Sequence, residues 1–225
     1  MNKMSKMAQK QKGFTLIEIA IVLVIIGLLL GGVLQGQQLI ENSRVRAASN
    51  DFTGIPAAAY AYVDRYRRFP GDDGDLAALQ ARGGAWANIT VAGNTDGVLA
   101  GPAVAATFTA PVTEAIGFWQ HSRAAGFISG NPAAATVATG LLPQNPFGGL
   151  TAVSSAAIQG MPVNVNKVCM NNLSGTAAGA LDARLDDGNP ATGNFRATAA
   201  AAPAATAMIT FVYVSDALYT VCSRF

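Results

Sequence analysis

The stretch Lys12-Gly13-Phe14-Thr15-Leu16-Ile17-Glu18 joins a short basic leader to a 21-residue apolar run that extends from Phe14 to Leu34. A run of this length is sufficient for a membrane-spanning helix. It carries one charged residue, Glu18, and an acid in a bilayer costs about 2.5–3.5 kcal/mol at the centre and less near the edge. Glu18 is therefore expected to have a specific partner. An α-amino group, produced by cleavage between Gly13 and Phe14, would be such a partner.

The basic excess of the chain belongs to the leader. The full chain has a formal charge of +2, and the leader contributes four lysines and no acid, namely Lys3, Lys6, Lys10 and Lys12. Without them, 11 basic and 13 acidic side chains remain, which is a formal charge of −2. The positive-inside rule therefore predicts a cytoplasmic leader, with the rest of the chain beyond the apolar run outside the cytoplasm.

The N-terminal segment has two other interpretations, an ordinary secretory signal and a plain signal anchor. An ordinary secretory signal has an apolar region of about 7–15 residues followed by a small-x-small cleavage site, and residues 31–37 contain no Ala-x-Ala. A plain signal anchor fits the length of the run but gives Glu18 no role. Cleavage at Gly13 is the interpretation that explains both features.

The residues Gly13–Glu18, followed by the apolar sequence Ile19–Gly27, resemble the class III signal of type IV prepilins and type II secretion pseudopilins. The resemblance implies cleavage after Gly13, N-methylation of Phe14, and pairing of Glu18 with the Phe14 amine of a neighbouring subunit. It also implies the partners: further copies of the chain in a helical filament, a prepilin peptidase and methyltransferase, an inner-membrane assembly platform and membrane lipid.

One position departs from this family. Many members have a proline about twenty residues into the mature chain, where the helix melts in the filament, and this chain has Gln35 there. Gly31, Gly32 and Gly36 lie around that position. Glycine costs about 1 kcal/mol relative to alanine in a helix, so these glycines could weaken the helix instead. The spacings Gly27-x-x-x-Gly31 and Gly32-x-x-x-Gly36 would also permit close approach of two helices.

The helix is predicted to continue beyond the apolar run to about Arg68. Apolar side chains recur along this part at the spacing of one helix face; they are Val45, Phe52, Ile55, Ala59, Tyr62 and Tyr66. Pro56 should kink the helix, since proline lacks a backbone donor and clashes with the preceding turn. Phe69-Pro70-Gly71 should end it.

Strand signals occur late in the chain, so the sequence predicts an α+β, pilin-like fold. The β-branched and aromatic runs are 163–170, 208–214 and 219–222. A short helix is predicted at 113–127 and turns at 145–149 and 186–190. The expected architecture is a long, kinked N-terminal helix packed on a C-terminal antiparallel sheet. Its predicted parts are a leader (1–13), a membrane or filament-core half-helix (14–34), an amphipathic half-helix (35–68) and a globular head (69–225).

The two cysteines, Cys169 and Cys222, are predicted to form one disulfide. The chain is expected to be exported, and an even pair of cysteines in an oxidising compartment is most simply one disulfide. The disulfide would bracket the region 169–222, as it often does in type IV pilins. Two buried free thiols are the alternative. The spacing offers no zinc motif.

Catalysis has little support in the sequence, and no enzyme is predicted. The lone histidine, His121, is expected to be hydrogen-bonded or on the surface, and Ser129 lacks the surroundings of a nucleophile elbow. Two acidic stretches are weak calcium candidates, although turn formation explains them equally well; they are Asp72, Asp73 and Asp75, and Asp182, Asp186 and Asp187. No cofactor is otherwise expected.

Basic and aromatic residues alternate at Arg65–Phe69, a pattern that single-stranded nucleic acid can use. Arginines at a helix C-terminus also complement the helix dipole, and nucleic acid is therefore not expected as a partner. The sequence predicts a structural subunit of a type IV pilus or pilus-like filament, first in the inner membrane and then periplasmic or at the cell surface. The alternatives are a pseudopilin or priming subunit of a secretion or DNA-uptake system, and a signal-anchored extracytoplasmic enzyme or binding protein.

Overall fold

The computed structural model describes residues 14–101, 106–111, 113–200, 202–204 and 212–225. The leader, residues 1–13, lies outside the described residues. The chain divides into two compact units, with the boundary between Asn42 and Ser43. The second of them, Ser43–Phe225, is called the head unit below.

Helix α1, Leu16–Tyr66, begins in the first unit and ends in the head unit. Within the head unit its predicted apolar face is confirmed, because Val45, Phe52, Ala59 and Tyr62 are buried. The two other residues of that face, Ile55 and Tyr66, are half-buried. This half of the helix therefore contributes one complete face to the core of the head.

The helix continues through Pro56, and it ends close to the predicted position. One turn before the proline, the Thr53 hydroxyl donates to the carbonyl of Asn50 at 3.0 Å. The kink expected at Pro56 stays a prediction. After the helix, Gly71 has a φ of +95°, a conformation that glycine adopts without strain.

The described residues of the head unit form a four-stranded antiparallel sheet in the order β1-β2-β4-β3. The strands are β1 Thr151–Ser154, β2 Lys167–Ser174, β3 Phe195–Thr198 and β4 Leu218–Arg224. Along the chain, three shorter helices follow α1 and precede β3: α2 Leu76–Gln80, α3 Thr113–Ala124 and α4 Gly175–Leu185. The helix α1 packs on the sheet through Phe52, whose ring meets that of Phe195 at a centroid distance of 5.2 Å. The α+β prediction is confirmed.

The disulfide joins the two central strands of the sheet. Cys169 on β2 lies directly opposite Cys222 on β4, with 4.1 Å between their Cα atoms. Both cysteines are fully buried. The predicted pairing is therefore present, and the alternative of two free thiols is wrong.

Some element predictions need correction. The strand expected from Val163 begins only at Lys167, because the carbonyls of Pro162 and Val165 turn towards the Lys167 ammonium. The strand expected at 208–214 is absent from its described part, residues 212–214, while 208–211 lie outside the described residues. Strands β1 and β3 and helix α4 were not predicted.

Candidate assembly and processing site

The candidate site is the start of helix α1, which carries Phe14, Thr15 and Glu18. The backbone N–H of Thr15 donates to Glu18 Oε2 at 2.7 Å, and the Thr15 hydroxyl donates to the same oxygen at 2.8 Å. In return, the backbone N–H of Glu18 donates to Thr15 Oγ1 at 3.3 Å. This reciprocal arrangement is a capping box, in which two side chains satisfy backbone donors at the beginning of a helix.

The carboxylate of Glu18 is also well placed electrostatically. A negative charge in the first turn of a helix interacts favourably with the positive end of the helix dipole. Both donors of Thr15 bind Oε2, so the capping box does not use Oε1. The same carboxylate can therefore cap its own helix with one oxygen and receive a further donor at the other.

Thr15 is the residue of this site that the sequence analysis missed. It lies three residues before Glu18, and Thr-x-x-Glu ahead of an apolar run is the sequence pattern of a capping box. The pattern is present in the sequence, and it gives Glu18 a partner within its own helix beside the amine that the apolar run suggests.

The surface that follows the capping box is apolar and exposed in the described chain. Phe14 is 84% exposed and Leu16 91% exposed, and the large apolar side chains up to Leu34 are likewise exposed. A continuous apolar surface of this size indicates contact with lipid or with another protein. Among the described residues, α1 is the one helix that is long and apolar enough to cross a membrane.

The glycines of this helix are all accessible from outside. A Cβ added at Gly27, Gly31, Gly32 or Gly36 would have nothing within 4 Å. The helix surface at these positions is therefore open, and a neighbouring helix can approach closely there. The local weakening of the helix expected from these glycines stays a prediction.

The acidic residues proposed for calcium fall into two different places. Asp72 accepts the backbone N–H of Gly97, Asp73 accepts the Tyr62 hydroxyl at 2.7 Å, and Asp75 caps helix α2 through the N–H of Ala77. Each of the three thus has its own structural contact. Calcium binding by this group stays a prediction.

Among the described residues, Asp182, Asp186 and Asp187 are the acidic side chains whose ligand oxygens lie within 4.8 Å of one another. All three accept hydrogen bonds: Asp182 from the Tyr213 hydroxyl, Asp186 from the N–H of Phe195, and Asp187 from the N–H of Asn189. Hydrogen bonds, first from the Thr192 hydroxyl and then from Asn189, lower the pKa of Asp187, whereas burial raises the pKa of Asp182. The bonds to Asp186 and Asp187 lie at the turn between α4 and β3, as the turn interpretation predicts. Calcium binding here also stays a prediction.

The other residues considered for a functional role, His121 and the arginines at the end of α1, have structural contacts. His121 is fully buried and hydrogen-bonded to backbone groups. The guanidinium of Arg65 lies over the ring of Tyr66, 5.4 Å from its centroid, at the end of α1. Arg67 forms a 3.8 Å ion pair with Asp64 one turn earlier. The dipole interpretation of the basic residues stays a prediction.

The comparisons with known proteins bear on the start of the chain. The prokaryotic N-terminal methylation motif matches residues 8–34, which include the capping box and the whole apolar run. No curated protein matches the chain. This motif is the class III signal that type IV pilins and pseudopilins carry, and the one apolar helix of the described chain fits a single-pass, membrane-anchored protein of that kind.

Proposed function

We propose that this chain, which carries the class III signal of type IV pilins and pseudopilins, is a structural subunit of a type IV pilus or pilus-like filament. The observation that carries the proposal is the combination at one helix end of the methylation motif, a single carboxylate and a long exposed apolar surface. Proteins with this motif are structural, and no catalytic role is assigned to any residue here.

In the proposed sequence of events, the apolar half of α1 first spans the inner membrane with the lysine-rich leader in the cytoplasm. Cleavage after Gly13 removes the four lysines of the leader and frees the Phe14 amine. An α-amino group has an unperturbed pKa of about 7.7–8.0, so most of it is cationic at neutral pH, and methylation keeps it basic. The mature subunit then enters a filament that is periplasmic or extends from the cell surface.

In the filament, Glu18 would attract the Phe14 amine of an adjacent subunit. Two unit charges at 4 Å attract by about 4 kcal/mol at an effective dielectric constant of 20, and desolvation offsets much of that. The ion pair therefore sets the register between neighbouring helices. Packing of the apolar residues 14–34 supplies most of the cohesion, since apolar burial stabilises by about 25 cal/mol per Å².

The capping box suggests how Glu18 can cap its own helix and also pair with the amine of a neighbouring subunit. Before assembly, the two bonds from Thr15 keep the carboxylate at the helix start and use its Oε2. A carboxylate that is already hydrogen-bonded and oriented loses less side-chain freedom when a second donor arrives. Thr15 is therefore proposed to orient Glu18 towards its partner.

The proposal is tested by replacing Glu18 and Thr15 separately in cells that make the filament. Glu18→Gln is the sharpest change, because glutamine can still complete a capping box but carries no charge. It should leave cleavage after Gly13 largely intact and strongly reduce filament yield. Thr15→Ala should reduce the yield less, since the charge of Glu18 remains.

Cleavage is followed by the size of the chain in membranes, and assembly by the amount in sheared filaments. Glu18→Ala, which loses both the cap and the charge, serves as the reference for complete loss. Normal filaments from Glu18→Gln would contradict the ion pair. Loss of cleavage in the same variant would move the role of Glu18 from assembly to processing.

The methylation motif is common to pilins and pseudopilins, so a secretion or DNA-uptake filament is the alternative machine. The amount of this chain in purified filaments distinguishes the roles. A major subunit is the dominant protein, whereas a priming subunit is present in trace amounts.

A further inference from the structure

His121, on helix α3, holds two points of the segment that follows helix α1. Its Nδ1 accepts the backbone N–H of Gly71 at 3.1 Å, and its Nε2 lies 3.0 Å from the carbonyl oxygen of Val91. A backbone N–H can only donate and a carbonyl can only accept. The two bonds therefore coexist in one form of the ring alone, the neutral tautomer with its proton on Nε2.

The two contacts hold residues 71–97, called the 71–97 segment here, against helix α3 at its first residue, Gly71, and again at Val91. The helix approaches closely at Gly117, where an added Cβ would lie 3.0 Å from the Cα of Gly71. The segment is closed on itself by the N–H of Gly93, which donates to the Asp73 carbonyl at 2.9 Å. Two further side chains of α3 bond the segment: Gln120 accepts the N–H of Thr90 at 2.9 Å, and Glu114 accepts the N–H of Asn94. His121 and Glu114 are the titratable members of this contact, and His121 is the one that bonds both Gly71 and Val91.

The surroundings of His121 disfavour its charged form. The ring stacks on Tyr62 of α1, with 6.3 Å between centroids, and contacts Trp86 at 6.0 Å. The charged groups that face it are Asp73 and Arg82, which form an ion pair of 2.9 Å with each other and thus largely cancel. Burial is the dominant effect and lowers the pKa of His121.

We propose that His121 is an acid-sensitive clamp: protonation of its Nδ1 ends the hydrogen bond from Gly71 and releases the 71–97 segment from helix α3. The ring then presents a second N–H to the N–H of Gly71, so that two donors face each other in a buried site. The clamp controls whether the 71–97 segment is attached to helix α3 of the head unit. It does not depend on the proposed filament function.

The direction of the pH dependence follows from linkage. A histidine that is exposed in the open segment titrates near pH 6.5, and the clamped histidine titrates lower. Between these two values the open form binds more protons than the clamped form, so opening becomes easier as the pH falls below about 6.5. Above that pH the clamp has its full strength.

The test is hydrogen exchange of the full chain in detergent micelles at pH 7.5 and pH 5.0, corrected for the intrinsic exchange rates. Strands β2 and β4 serve as the internal reference. The 71–97 segment should lose protection by about tenfold relative to these strands, because at pH 5.0 the open form of His121 takes up a proton that the clamped form disfavours. In His121→Gln the extra loss should disappear, because the glutamine amide can both accept and donate but does not titrate.

Equal protection of the segment at both pH values in the wild-type chain would overturn the proposal. So would the same pH-dependent loss in His121→Gln, which would point to another group, such as the buried Glu114 that accepts the N–H of Ala100. If His121→Gln does not fold, nitrogen-15 NMR of the wild-type histidine decides. A midpoint well below 6.5 and a proton on Nε2 are expected, and a midpoint of 6.5 or higher, or a proton on Nδ1, would contradict the clamp.

Discussion

Lys167 shows how a single residue determines the course of a loop in the head unit. It is fully buried, and its ammonium donates to the carbonyls of Ala156, Pro162 and Val165 at 2.8, 2.8 and 2.6 Å. An ammonium group has three donors, so each is used. Burial lowers the pKa of the Lys167 amine to about 8, and the group is therefore still mostly protonated at pH 7.

Replacing Lys167 by methionine should strongly destabilise the head unit. Methionine keeps the apolar stem but removes the ammonium that binds three carbonyls, and a hydrogen bond to a charged group is worth about 1.5–3 kcal/mol. We expect the free energy of unfolding to fall by at least 3 kcal/mol in a urea titration of the detergent-solubilised chain, followed by tryptophan fluorescence. Arg46→Met, at an exposed position of α1, is the control and should change it by no more than about 0.5 kcal/mol. A loss below 1 kcal/mol for Lys167→Met would contradict the role of the three carbonyls.

Two glycines of the head unit have opposite surroundings, so their replacement by alanine should change the free energy of unfolding in opposite directions. Gly175 begins α4, and an added Cβ would collide with the backbone carbonyl of Val214. Gly54 lies on the exposed face of α1, with nothing within 4 Å of an added Cβ.

Gly175→Ala should therefore destabilise the head unit by about 1–3 kcal/mol, the usual range for overpacking. Gly54→Ala should stabilise it by about 0.5–1 kcal/mol, because alanine is the better helix former and has room. The same urea titration measures both changes. If Gly175→Ala did not lower the free energy of unfolding, the packing of α4 against Val214 would be wrong, and a loss in Gly54→Ala would contradict the open surface of α1 at that position.

The disulfide between β2 and β4 should stabilise the head unit mainly by restricting the unfolded chain. Cys169 and Cys222 are 53 residues apart, and closing a loop of this length is worth about 4 kcal/mol in the chain-entropy model. The double variant Cys169→Ala, Cys222→Ala should lose about that much free energy of unfolding in urea. Wild-type protein that is reduced in urea and refolded under reducing conditions should show the same transition. A loss below 1 kcal/mol in both would mean that strand pairing alone holds this part of the sheet.

The sequence was informative where an element has a clear period or a capping signal. Helix α1 was predicted within a few residues at its end, because its buried face repeats at 3 and 4 residues and Pro70-Gly71 stops it. Strand β1 was missed because all four of its side chains are buried, so no alternation of polar and apolar residues marks it. Strand β3, Phe195–Thr198, is too short to form a pattern, and α4 is rich in alanine and glycine, although Ser174 caps it in a recognisable way.

The candidate site can be proposed from the sequence for the same reason that the helix can. Gly13, Phe14 and Glu18 lie in a continuous sequence pattern, whereas the contacts of His121 and Lys167 join residues far apart in the chain. Hydrogen bonds from backbone groups of distant loops leave no periodic signal. The clamp and the buried ammonium could therefore be found only from the structure.

At the scale of the whole molecule, two different requirements divide the chain. The N-terminal unit carries an exposed apolar surface that needs lipid or neighbouring subunits, and the head unit has its own buried core and disulfide. Removal of the leader would change the formal charge from +2 to −2. The chain that leaves the membrane would thus differ from the chain that entered it in both anchoring and charge.

Processing at Gly13 is the central claim, and intact mass with N-terminal sequencing tests it most directly. The protein should be taken from its native membrane or from a sheared surface fraction. We predict a mature chain that starts at Phe14 and carries one added methyl group. A chain that retains Met1, or that starts well past Leu34, would contradict the account, because the Glu18 carboxylate would then have no Phe14 amine to pair with.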